Sequence, residues 1–74
     1  MGIVEDLADE LAVDALATSE RLENEKIILE VSEILGASST TAQEAYLTAI
    51  RVRRAEARAR KYLEECRTKA AKAQ

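Results

Sequence analysis

Apolar residues fall along the first half of the chain in two helical stripes. Val4, Leu7, Ala8, Leu11, Ala15, Leu22 and Leu29 share one face at helical spacing. Val13, Leu16, Ala17, Ile27, Ile28, Val31, Ile34 and Leu35 form a second line on a substantially different face. A helix that is apolar on two sides is buried against more than one neighbour. One stripe is therefore expected to pack within the chain and the other between chains. Asp6, Asp9, Glu10 and Asp14 load the opening turns with negative charge, which the helix dipole favours. The pattern thins between Thr18 and Lys26, where Leu22 is the one large apolar residue. Thr18 or Ser19 is a candidate cap for a separate helix there. With no Gly or Pro nearby, the reading preferred is one continuous or gently bent helix over about residues 3–35.

The clearest punctuation is Gly36-Ala37-Ser38-Ser39-Thr40-Thr41. Gly36 stands where a helix takes a left-handed C-terminal cap. The hydroxyls that follow favour caps over helix interiors. Thr41 with Glu44, or Thr40 with Gln43, has the spacing of a capping box. The turn is thus expected at residues 36–41, with a second helix over about residues 42–72. A phosphate-binding reading of this Gly-Ser-Thr loop lacks the strand, the further glycines and the Lys-Ser/Thr pair that such loops need.

The second half has a different pattern. Ala45, Ala49, Val52, Glu56, Ala59, Leu63, Cys66 and Ala70 alternate spacings of four and three, a heptad seam of small residues. Ala55 and Tyr62 widen one flank, and Arg53, Arg60 and Arg67 line the other at intervals of seven. Folding the chain at the turn places Arg67 near Glu10, Arg60 near Asp14 and Glu20, and Arg53 near Glu20 and Glu23. Glu56 is polar within the seam; it is read as a register device or as a partner of Arg53 or Arg60. The expected fold is all-α: an antiparallel two-helix hairpin spanning residues 1–74 as one domain. That hairpin pairs with a second copy as a four-helix bundle, a dimer being favoured. The seam residues singled out are Ala45, Ala49, Val52, Ala59, Leu63 and Cys66, with Ile27, Val31 and Ile34 from the first helix.

Composition sharpens this picture. Seventy-four residues make one small domain, and chains this short bury a poor fraction of their surface. Proline is absent, glycine occurs twice, and 34% of residues are charged, a profile of long helices. Ten acids and two bases precede Gly36, while four acids and nine bases follow it, −8 against +5 in a chain of net −3. The two halves are thus electrostatically complementary.

Chemistry is harder to find. No histidine is present, which removes the commonest general base and the usual zinc ligand sets. The pairs Glu20 with Glu23 and Glu30 with Glu33 have carboxylate spacing for a hard cation, but in so acidic a segment they read as surface charge. Cys66 is the one cysteine, so no intrachain disulfide forms, and a cytoplasmic setting is expected. The first residues lack the basic and apolar regions of a secretion signal, and no apolar run approaches the roughly 20 residues needed to span a bilayer. No catalytic residue, cofactor or metal is expected.

Arg51, Arg54, Arg58 and Lys61, continued by Lys69 and Lys72, share a basic face opposite the seam. It is the candidate partner-binding surface, toward an acidic protein or, less favoured, nucleic acid. The functional expectation is a non-catalytic oligomerising module, acting as a small adaptor, chaperone-like or scaffold protein through helix-face contacts. One alternative is a nucleic-acid-associated helical dimer using the basic face. Another is an engineered or de novo self-assembling component, a reading that the irregular Thr18–Glu25 stretch and Glu56 disfavour.

Overall fold

A computed structural model describes residues 2–73, which fold into three helices. Helix α1 spans Ile3–Leu22, α2 spans Lys26–Ser38 and α3 spans Thr40–Ala73. The described residues are therefore all-helical, but the first half holds two helices where one was expected.

The break lies at Glu23, later than the suspected Thr18 or Ser19. Glu23 takes a left-handed conformation, with φ 51° and ψ 47°. Its N–H donates to the Glu20 carbonyl at 3.2 Å, and the Asn24 N–H donates to the Ser19 carbonyl at 2.9 Å. Those two bonds make a Schellman stop, which satisfies carbonyls that the last turn leaves open. Buried Ser19 reinforces it by donating from Oγ to the Asn24 carbonyl at 3.0 Å. Asn24 Oδ1 then accepts the Lys26 N–H at 3.1 Å and opens α2. Polar side chains thus make a turn where no glycine marks one.

The second junction is tighter than a residue 36–41 turn. Gly36 lies inside α2, and no glycine among the described residues has a positive φ. Ser39 alone separates α2 from α3; its backbone is extended, with φ −154° and ψ 107°. Its hydroxyl accepts the Ala42 N–H at 3.0 Å. Ser39, not Thr40 or Thr41, is the N-cap of α3. That leaves Gln43 free to reach back: its Nε2 donates to the Ser32 carbonyl at 3.0 Å and to Ser32 Oγ at 3.3 Å. A Cβ added at Gly36 would stand 2.5 Å from Gln43 Nε2. Glycine is needed here for that close approach.

The core is small. Ala8, Ala12 and Ala15 of α1, Ile28 of α2, and Tyr46 and Ile50 of α3 are buried in one cluster. Ala8, Ala12, Ala15 and Ser19 repeat at spacings of four, three and four, so α1 turns a narrow face of small side chains inward. Such a face lets neighbouring backbones approach closely and leaves room for Tyr46, which is wholly buried. Of the leucines expected to lead this stripe, Leu11 is half-buried and packs against the core, whereas Leu7, Leu22 and Leu29 are each more than half exposed. The reason is geometric. Alanines allow closer helix approach, and the chain break rotates α2 out of the line that joined Leu22 to Leu29.

Candidate interaction surface

Helix α3 is anchored to the other two helices at its N-terminal half. Tyr46 Oη donates to the Ile28 carbonyl at 2.8 Å. Burial pushes the Tyr46 pKa above its ordinary value, an effect that the positive charge of Arg54 opposes. Further along, Arg53 forms a two-pronged pair with Asp9, Nε to Oδ1 at 2.9 Å and Nη2 to Oδ2 at 2.6 Å. The hydrogen bonds from Arg53, with its charge, hold the Asp9 carboxyl below the usual carboxylate value, against a smaller effect of desolvation. The reciprocal bonds raise Arg53. Arg54 Nη2 reaches Glu25 Oε2 at 3.0 Å. These pairs differ from the expected ones because the break at Glu23 removes the register of a continuous first helix. Arg60 and Arg67 reach no acid of the first half; they bond to Glu56 at 3.0 Å and Glu64 at 2.6 Å on their own helix.

Beyond Arg54 the helix leaves the domain. Every residue from Ala55 to Ala73 is exposed. Reading α3 along its inward face explains the departure: Tyr46, Ile50, Arg53 and Ala57 give way to Lys61, Glu64 and Thr68. Those residues offer α1 and α2 nothing apolar to cover. The apolar stripe of the outer half, which starts at Val52 and runs through Ala55, Ala59, Leu63, Cys66 and Ala70, is rotated about 160° around the helix from the core-facing line. Val52 is 61% exposed and Leu63 49%.

The seam read from the sequence is thus divided. Ala45 and Ala49 are half-buried and packed against the core, and Val31 joins them there. Ile27 is half-buried, whereas Ile34 is 71% exposed and takes no part in the core. Ala59, Leu63 and Cys66 lie on the free half, and exposed Val52 stands just before it. Tyr46, Ile50 and Ile28 were absent from the seam although they form the core; one signal for them was the spacing of four between Tyr46 and Ile50. Glu56 of the seam pairs with Arg60, one of its two expected partners.

The basic face is likewise divided. Arg54 is engaged with Glu25, while Arg51, Arg58 and Lys61 are exposed and form no ion pair among the described residues. Lys61, Lys69 and Lys72 line a groove with Glu64, Glu65 and Thr68, all from α3. A groove made by the side chains of one helix encloses nothing. Among the described residues no group of three or more acidic or thiol side chains is placed to hold a metal ion. No described helix is long and apolar enough to cross a membrane. Comparison of the chain with family models, curated proteins and solved structures gives no match.

Proposed function

We propose that the chain is a non-catalytic oligomerising module, a small adaptor or scaffold that works through helix-face contacts. The observation that carries this reading is the free half of α3, bare from Ala55 to Ala73 yet striped with Leu63 and small residues in line with exposed Val52. Most helical stability in proteins comes from packing an apolar face, and the stripe on this half has no such cover within its own chain. Covering Leu63 or Val52 contributes about 1–2 kcal/mol each. A helix carried well clear of its own core is therefore better explained by a partner than by the needs of this small domain.

The exposed part of the basic face supports a nucleic-acid reading less well. Arg54 is committed to Glu25, Glu65 interrupts the row, and the whole chain is net −3. Sedimentation equilibrium at micromolar concentration tests the main reading. The expected mass is at least twice the 8.2 kDa of one chain. Leu63→Glu should return it to the monomer while the cooperative melt of the core persists. A wild-type chain that stays monomeric at every concentration contradicts the proposal.

A further inference from the structure

We infer that the free half of α3 docks on the acidic outer face of α1 in a second copy of this chain, each copy giving one helix and receiving the other. The inference rests on the helix-face reading above and names its partner and its surface. Both halves of the contact are already present on one chain. On α1, the side turned from the core carries Ile3, Asp6, Glu10, Val13, Asp14 and Ala17, all exposed. Ile3 is 73% exposed and Val13 41%, with Leu7 beside them at 57%. Apolar side chains bounded by carboxylates have the make-up of a docking face rather than of a purely solvated one.

Charge selects the pairing. Helix α1 holds six acids and one base, whereas residues 55–73 hold six bases and three acids. The lengths agree as well, since both segments run to about 30 Å at the rise of an α-helix. Pairing α3 with α3 of another copy is less favourable on the same grounds. In an antiparallel pair the flanks carrying Arg60 and Arg67 face one another, and like charges across an interface are repulsive. In a parallel pair those arginines meet Ala55 and Tyr62, and no acid answers them. On α1 they meet Asp6, Glu10 and Asp14. In the single chain Arg60 and Arg67 make only exposed bonds within their own helix, which are readily exchanged for such partners.

A charge swap in the full chain tests this. One variant carries Glu10→Lys and Asp14→Lys, the other Arg60→Glu and Arg67→Glu; circular dichroism melts check that each folds. Self-association of either variant alone should weaken by about tenfold or more, because like charges now meet at both contacts. An equimolar mixture should regain wild-type affinity, since each contact again joins opposite signs. Wild-type self-association of Glu10→Lys/Asp14→Lys, or folded variants that both fail and are not rescued by mixing, would overturn the α1 site. If Leu63→Glu still abolishes association in that case, the helix-face reading survives without this partner surface. A monomeric wild type removes both.

Discussion

The Tyr46 hydroxyl donates a 2.8 Å hydrogen bond to the Ile28 carbonyl, across the junction between the second and third helices. Ser39 is the only residue between those helices, so the chain reverses with little slack. Tyr46 holds the reversal together one turn beyond Gln43, which grips Ser32. These two contacts pair falling residue numbers on α2 with rising ones on α3, and they fix the antiparallel register of that pair.

Tyr46→Phe keeps the ring but loses the hydroxyl. It should cost about 1 kcal/mol, a lowering of the melting temperature by roughly 4–8 °C. The pH dependence has a definite sign. Burial raises the Tyr46 pKa in the folded chain. Its contribution is therefore complete below the unfolded value and falls as pH rises above about 10. Wild type and Tyr46→Phe should converge in stability at alkaline pH; a constant gap would show that the hydroxyl does not titrate with unfolding.

Glu23 is a non-glycine residue with φ 51°. Glycine takes that conformation without strain, so Glu23→Gly should stabilise the chain by about 0.5–1 kcal/mol. A thermal melt checks it. Destabilisation would mean that the left-handed stop at Glu23 is not the turn used in solution.

Gly36 was expected to need left-handed backbone, whereas it lies within α2 against Gln43. In the wild-type background, Gly36→Ala sets a gain in helix propensity of about 1 kcal/mol against displacement of Gln43 from Ser32. The net change should be neutral or destabilising. In a Gln43→Ala background the same substitution should stabilise by about 0.5–1 kcal/mol. Equal effects in both backgrounds would show that Gly36 and Gln43 are uncoupled.

Asp9→Asn should lower the melting temperature at neutral pH by loosening the grip of Arg53. Since the Asp9 pKa is depressed in the folded chain, its contribution is present above the unfolded carboxylate value. It is lost as pH falls through the lower folded value, so the variant and wild type should draw together below about pH 4. Melts across that range, compared with the same series for exposed Asp14→Asn, read the effect.

How much of this was legible in the sequence follows from where each signal originates. Helical class was plain, because no Pro, few Gly and steady three-and-four spacing leave no room for strands. The junction near Gly36 was legible too, though its mechanism was not: Ser39 caps α3 through a backbone conformation that residue type alone does not specify. The break at Glu23 escaped because its stop is built from Ser19 and Asn24, with a Glu in a place usually held by glycine. That one break rotated α2 and moved the partner of Arg53 to Asp9; the small-residue face of α1 was legible in part, through Ala8 and Ala15 of the first stripe, but not Ala12 or Ser19. On the candidate surface, the heptad stripe from Val52 to Ala70 was readable, but its freedom from any intrachain partner was not. That depended on where α1 and α2 end.

The central claim is that the outer half of α3 is covered by another copy of the chain. Amide hydrogen exchange as a function of protein concentration tests it most directly. Residues 42–50 should be protected at every concentration, because they belong to the core. Residues 55–73 should exchange rapidly in dilute solution and become protected as concentration rises, together with the outer face of α1. Exchange in 55–73 that does not change with concentration would contradict the account.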